Sequence, residues 1–356
     1  MTYALIGCGR ISSNHIRAVK NNNLNIIALC DTEISKAKQL ANENNINTSF
    51  YTSHKEMLQD LKPDIIAIAT PNGIHTDIAI DCLKAGCHII LEKPIALSIK
   101  DADAIIFEAK KNNVKVTACH QNRFNLSVQK LRSAIDAGRF GRILHITAHI
   151  RWNRGKAYYD QDDWRGTWTL DGGCLMNQCI HNIDALRWLM GSDVQEVFAY
   201  SKNFIHPFIE IEDLGVGLVK FSNGGIGVIE GTVNVFPKNL EETLYVFGEK
   251  GTVKLGGKSI NQIDEWIFED GMDTLEDVRR EFSENPPDVY GFGHTPLYAD
   301  FIDKIKNGGE PSISLEEGKK SMELILAMYK SSFEGVPVKL PLENCSTLDF
   351  IGKEWK

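Results

Sequence analysis

Ile89-Ile90-Leu91-Glu92-Lys93-Pro94 is the stretch that decides how the chain is read. The mostly apolar residues 87–91 predict the end of a buried parallel strand, which a charged pair and a proline then stop. In an open α/β sheet, ligands lie beyond the carboxyl ends of the strands, so Lys93 is expected to point into a crevice. Proline restricts the backbone, in a cis or a trans peptide, and so fixes where the lysine head can go. Taken alone, the stretch suits a surface Glu–Lys pair before a turn equally well.

Working outward, strands are expected at 4–6, 25–30, 48–50, 64–69, 87–91 and 114–119, alternating with helices at 14–21, 33–44, 76–85 and 98–112. This alternation implies a doubly wound parallel sheet. After His120 the pattern changes. Helices are expected at 125–137 and 174–190, and strands at 143–151, 194–204, 214–221, 225–235, 243–247 and 251–255. Asn-Gly and Glu-Lys-Gly turns join several of these, which predicts an open, mainly antiparallel sheet. Helices at 297–306 and 315–332 close the chain. The fold class is therefore α/β with two domains, 1–120 for a nucleotide and 121–356 for substrate binding and oligomerisation, packed rigidly with a crevice between them.

The totals agree with this reading. The 356 residues suit two domains, and 43% hydrophobic with 24% charged residues is a globular profile. A net charge of -8 argues against a nucleic-acid partner. No apolar run approaches a membrane span, and the first residues lack a basic flank and a long apolar core, so a cytoplasmic location is expected. The eight cysteines show no Cys-x-x-Cys pair, and they read as buried thiols rather than disulfides or a metal site.

Candidate site residues come from several stretches. Gly7-x-Gly9-x-x-Ser12, with Arg10 and Ile11 inside it, joins a strand to a helix and suits a pyrophosphate at the helix N-terminus, although Ser12 replaces the third glycine. Asp31 ends the next strand 22 residues after Gly9, where it can accept hydrogen bonds from a ribose and repel a 2′-phosphate, favouring NAD over NADP; it could also cap the following helix. Thr70, Asn72 and His75 follow the fourth strand, and with Glu92 and Gln121 they complete the expected cofactor set. Asn177, His181 and Asp184 are spaced four and three, as on one helical face; a histidine so placed is more often structural than functional. The loop after 151 mixes Arg151, Arg154, Lys156 and Arg165 with Trp152, Tyr158, Tyr159, Trp164 and Trp168. Arginine forks suit carboxylates and phosphates, and aromatic faces suit bases and sugar rings. The bland alternative is a solvated loop or a subunit contact.

Together, the N-terminal fingerprint, Glu92-Lys93-Pro94, and Gly172-Gly173 followed by His181 resemble the Gfo/Idh/MocA oxidoreductase family over essentially the whole chain, including Tyr298-Ala299-Asp300-Phe301. The resemblance implies a Rossmann domain, NAD, and Lys93 and His181 flanking the reacting carbinol. Many members carry an aspartate four residues before the histidine, where this chain has Asn177. Arg165-Gly166-Thr167-Trp168 and Asp171–Gln178 look like the branch acting on UDP-N-acetylglucosaminuronic acid, 3-dehydrogenases that serve surface polysaccharide synthesis. That implies substrate contacts from Arg151, Arg154, Tyr159, Trp164, Arg165, Asn177 and Gln178. An inositol or polyol dehydrogenase is the enzymatic alternative, and a non-catalytic NAD-binding sensor the alternative of another class. Apolar strands such as 225–229 predict a homodimer or homotetramer.

Overall fold

Short apolar runs become the strands of a parallel sheet: β1 (Thr2–Ile6), β2 (Asn25–Cys30), β3 (Ser49–Tyr51), β4 (Ile65–Ile68), β5 (His88–Leu91) and β6 (Val116–Ala118). The computed structural model describes residues 1–286 and 288–355. The sheet order is β3-β2-β1-β4-β5-β6, with every neighbour parallel. Helices α1 (Ser12–Asn21), α2 (Ile34–Asn44), α3 (His54–Asp60), α4 (His75–Lys84) and α5 (Ile99–Lys111) make the crossovers. All four side chains of β4 are inaccessible to solvent, as expected for a strand covered on both faces. Ser53 and Ser98 start α3 and α5 by accepting the N–H of Glu56 and Asp101.

The order reverses between β1 and β4, and the loops after these strands approach closely there. Gly7 has φ +95°, and a Cβ added to it would lie 2.3 Å from the Ala69 carbonyl oxygen. Only glycine satisfies both the dihedral and the space.

A second unit follows, with α6 (Leu126–Asp136), β7 (Ile143–Arg151), α7 (Lys156–Tyr159), a π-helical turn (Leu175–Cys179) that runs into α8 (Ile180–Met190), β8 (Val194–Lys202), β9 (Leu214–Phe221), β10 (Ile226–Thr232), β11 (Glu241–Gly248), β12 (Gly251–Gly256), β13 (Gln262–Phe268) and α9 (Leu275–Phe282). The last elements are α10 (His294–Asn307), α11 (Leu315–Glu334) and β14 (Val338–Lys339). The sheet order is β13-β12-β11-β7-β10-β9-β8-β14, antiparallel except for the parallel pair β7–β10. β9 alternates strictly: Val216, Leu218 and Lys220 face solvent while Gly215, Gly217, Val219 and Phe221 are buried. Small residues let the helices rest on the buried face. A Cβ at Gly231 would meet Leu175 and Cys179 at 2.6 and 2.7 Å, and one at Gly217 would meet Met328 at 2.7 Å.

The expected break at His120 coincides with the unit boundary, but the assignment of 121–356 to one domain needs correcting. The units are Met1–His120 with His294–Lys319, and Gln121–Gly293 with Lys320–Lys356, so the division falls within α11. The returning segment is tied to the first unit by buried polar bonds. The Tyr298 hydroxyl lies 3.0 Å from that of Tyr3 and 2.7 Å from His15 Nδ1, and the Ile313 carbonyl accepts from Ala118 N and Thr117 Oγ1.

Gly7→Ala should lower the melting temperature by several degrees and weaken NADH binding by at least roughly tenfold. Thermal melts and NADH fluorescence titration check this; a variant matching the parent in both would remove the steric argument.

Candidate functional site

In the first unit the expected cofactor residues gather at the strand ends. Asp31, at the end of β2, accepts from Cys8 N at 2.8 Å on one oxygen and from Glu33 N at 2.9 Å on the other. The carboxylate is thus fixed by the glycine turn itself; Glu33 rather than Asp31 is the N-cap position of α2. Ser12, in place of a third glycine, is buried and donates from Oγ to Gly9 O at 2.6 Å, which closes the turn. Apart from its chain neighbours, no atom of the described residues lies within 4 Å of a Cβ added at Gly9, so the backbone there is open to a ligand. Arg10 is exposed and Ile11 half-buried. After β4, the Thr70 hydroxyl is buried without a hydrogen-bond partner, and Asn72 begins a short 3₁₀ turn. A free turn backbone, a fixed carboxylate and an orphaned hydroxyl fit a dinucleotide.

Two cofactor expectations need correcting. His75 is fully buried, with Nδ1 2.8 Å from Pro94 O and Nε2 2.9 Å from Thr70 O. Each ring nitrogen faces a carbonyl of a different strand-end loop, and a neutral imidazole donates to one of the two, so the ring is turned to these loops rather than to a cofactor. Burial, more than any other factor, lowers its pKa. Glu92 is also internal. Oε1 lies 3.0 Å from His15 Nε2, and Oε2 accepts from the Lys93 N–H at 3.2 Å. Lys93 is half-buried and directly follows this anchor. Gln121, a cofactor candidate, belongs to the second unit, where its amide lies 3.5 Å from His181 Nε2.

In the second unit the decisive feature is the π turn, which carries Asn177, while His181 and Asp184 lie in the regular helix α8 that follows, so the spacing of four and three does not put all three on one α-helical face. Asn177 donates to Asp171, whose other oxygen accepts Gly166 N. Asp184 instead faces the interior, taking both forks of Arg123 at 2.7 and 2.6 Å and the Ser321 hydroxyl at 2.6 Å. It is structural. Ahead of the turn, Glu212 Oε1 accepts from Leu175 N at 2.7 Å and Tyr329 Oη at 2.6 Å. Its Oε2 is buried without a partner, and burial pushes the carboxyl up to about 8. A Cβ at Gly173 would stand 2.0 Å from Tyr329 Oη, which explains the glycine.

The aromatic-cationic loop sorts itself by pairing. Arg151 lies on β7, not in the loop, and forms cross-strand ion pairs with Glu230 and Glu241; its expected substrate role is withdrawn. Lys156 is spent on Asp160 at 2.6 Å. Tyr159 is buried against His206 and Phe208, so it is an anchor rather than a contact residue. Arg154 and Arg165 converge on Tyr158 and Gln178. Arg154 Nε donates to Gln178 Oε1 at 3.1 Å, Gln178 Nε2 to Tyr158 Oη at 2.8 Å, and Arg165 Nη1 to Tyr158 Oη at 2.6 Å. Arg154 also lies 4.6 Å from the Trp152 ring centroid and Arg165 4.5 Å from that of Trp164. Sequence reasoning missed Tyr158, Asp171 and Glu212 as site residues. The acids had a readable signal, since Asp171 precedes Gly172-Gly173 and Glu212-Asp213 precedes an apolar strand.

A six-stranded parallel sheet with a glycine turn and a fixed acid at its switch point defines a dinucleotide-binding domain of the doubly wound class. The comparisons agree. Residues 1–120 match the oxidoreductase family with an NAD-binding Rossmann fold, and residues 128–254 match the GFO/IDH/MocA C-terminal domain. The WlbA dehydrogenase from Bordetella pertussis, solved with NADH and UDP-GlcNAcA, is 36% identical with a TM-score of 0.89, covering 96% of this chain and 98% of that one. The WlbA dehydrogenase from Chromobacterium violaceum, with the same ligands, is 35% identical over 96% of each chain with a TM-score of 0.87. A myo-inositol 2-dehydrogenase from Thermotoga maritima is 27% identical, covering 96% of this chain and 98% of its own. The chain belongs to the Gfo/Idh/MocA family of NAD-binding oxidoreductases, which includes sugar and polyol dehydrogenases.

Glu212 makes stability depend on pH in a defined direction. The folded chain holds this proton up to about pH 8, whereas an ordinary glutamate releases it near 4.5. Native protein therefore binds more protons than unfolded protein across that window, and this group's contribution to stability falls as pH rises through it. Glu212→Gln should gain melting temperature relative to the parent from pH 5 to pH 8; parallel curves in paired thermal melts would show that Glu212 does not carry a native proton.

Proposed function

We propose that the chain oxidises the C3 hydroxyl of UDP-N-acetylglucosaminuronic acid to the 3-keto sugar with NAD, in the synthesis of a surface polysaccharide. Arg154 carries this reading: its hydrogen-bond partners are Gln178, Asn153 and Asn239, all uncharged groups. Its charge remains available to a carboxylate or diphosphate. The two relatives solved with UDP-GlcNAcA, at 36% and 35% identity, support the substrate over the inositol relative at 27%.

Bound NAD supplies the hydride acceptor, and the proposed residues to hold it are Gly7, Gly9, Arg10, Ile11, Asp31, Thr70 and Asn72. A carbinol can lose hydride only as its hydroxyl proton departs. Lys93 is the first candidate to take that proton. His181 is the second, or else it orients and polarises the hydroxyl oxygen. Asn177 cannot ionise and is held by Asp171, so no acid–base role is given to it. Gln178, Trp164 and Arg165 complete the proposed sugar-nucleotide contacts. The exposed Tyr200, Val216, Leu218 and Ile226 on the outer face of β8–β10 support a homo-oligomer.

With NAD and UDP-N-acetylglucosaminuronic acid, NADH formation and a two-dalton loss in the sugar are expected, the second read by mass spectrometry even if NADH stays bound. Lys93→Ala and His181→Ala should each lower turnover by roughly a hundredfold or more with NAD binding kept. Arg154→Ala should raise the KM of the UDP-sugar by at least about tenfold. Turnover of myo-inositol but not of the UDP-sugar would favour the polyol reading, and retained NAD binding with no turnover across the sugar panel would favour the sensor. Light scattering on the purified protein checks the oligomer; a monomer at micromolar concentration would remove it.

A further inference from the structure

The reaction proposed above makes no use of Glu242, a buried carboxyl group of the second unit. Glu242, the second residue of β11, is 3% exposed. It pairs in register with Ile150 on β7, and Ile150 pairs with Gly231 on β10. Directly opposed residues share a face of the sheet, so Glu242 lies in the same inward row as Gly231. Gly231 is where Leu175 and Cys179 of the π turn touch the sheet. Glu242 therefore lies two strands across from the turn that carries Asn177 and Gln178, about 10 Å away at the usual strand spacing. It also sits at the end of the sheet from which Trp152, Asn153 and Arg154 continue after β7.

Its neighbour Glu241 shows what a glutamate on the outer face does, since it pairs with Arg151. Glu242 has no such partner. Oε2 is buried and makes no hydrogen bond, and the charged group that influences it is Arg154, the cation of the proposed sugar site. Burial outweighs that attraction and holds the carboxyl in its protonated form, well above the usual carboxylate range. A neutral Glu242 also leaves the charge of Arg154 uncancelled.

A buried carboxyl without a partner costs stability, and a well-packed apolar side chain would avoid the cost. Such a group makes physical sense where something outside the chain completes it. We infer that Glu242 is a substrate-recognition residue whose carboxyl group donates a hydrogen bond to an oxygen acceptor of the bound sugar, a hydroxyl, an acetamido carbonyl or a carboxylate, beside Arg154. This rests on reading the Arg154–Gln178–Tyr158 group as the sugar site.

The test compares the full-length parent with Glu242→Leu and Glu242→Gln. Leucine keeps approximate size and removes the donor; glutamine restores one. Glu242→Leu should lose roughly 10- to 100-fold in kcat/KM for the sugar, through KM, with the KM of NAD unchanged and the melting temperature equal to or above the parent's. Glu242→Gln should recover sugar KM to within about threefold. An unchanged sugar KM in Glu242→Leu overturns the inference, as does a melting temperature lowered by several degrees, which would assign Glu242 to the fold; the melt needs no substrate. Kinetics are run on UDP-N-acetylglucosaminuronic acid and on myo-inositol. Use of the polyol alone sinks the UDP-sugar reading, while the leucine and glutamine comparison on that polyol still decides the role of Glu242.

Discussion

A carboxylate withdrawn from water at the end of β5 constrains the first unit. Glu92 is 7% exposed, and burial by itself would raise its pKa; hydrogen bonding with His15 and the nearness of His294 hold it well below the usual range instead. An ionised group so placed must keep its partners, and they come from separate parts of the chain. His15 belongs to α1, His294 opens α10, and the Lys93 N–H follows in sequence. His15 continues through the Tyr298 hydroxyl to Tyr3 on β1. The network explains why residues 294–319 return to the nucleotide unit. It also means that the Lys93 side chain springs from a backbone with little freedom, which is what the proton transfer proposed for it would require.

The second unit reaches a comparable rigidity by different means. Its helical layer stands close to the sheet because Gly215, Gly217, Gly227 and Gly231 present bare backbone to Leu175, Met328, Leu186 and Cys179. The π turn places side chains at angles that a regular helix would not allow, and Glu212 with Tyr329 secures its first N–H. Such a turn usually persists because surrounding contacts over-determine it. Here those contacts are glycine-spaced packing below and a protonated acid at the start. Neutral buried carboxyls at Glu212 and Glu242 both lie close to the residues given substrate roles, an arrangement that sacrifices some stability.

Legibility in the sequence followed burial. Strands covered on both faces, such as β4 and Ile89–Leu91 of β5, are unbroken apolar runs, so the strands of the Rossmann half were readable nearly to their boundaries. Elements that bury little were missed: α3 buries only Met57 and α9 only Val278, and β14 has two residues. β13 buries Ile263 and Trp266, three residues apart, because Asp264 is an extra residue in its pairing with β12 and interrupts the period of two. The site was less legible because residue type does not reveal pairing. His75 and Glu92 had the chemistry of ligands, yet one braces two loops and the other anchors a strand end. The π turn left no mark in a segment whose apolar spacing suits an ordinary helix.

Pairing also decides what the aromatic loop can recognise. Counting four cations in an acidic chain suggests a broad basic patch. Arg151 and Lys156 each carry their own carboxylates, so they add no net attraction for an anion. Arg165 shares itself between Asp162 and Tyr158. Among the described residues Arg154 hydrogen-bonds uncharged groups, and its guanidinium lies over the Trp152 and Tyr158 rings. A single oriented guanidinium in aromatic surroundings discriminates better than a diffuse patch, because a ligand must present its anion at one place and a flat or apolar surface beside it. A sugar nucleotide with a carboxylate or diphosphate has that shape, and an uncharged polyol has no anion to offer. The proposed preference for a charged sugar rests on the uncharged hydrogen-bond partners of Arg154 among the described residues, and the raised pKa of the nearby Glu242 belongs to the same arrangement.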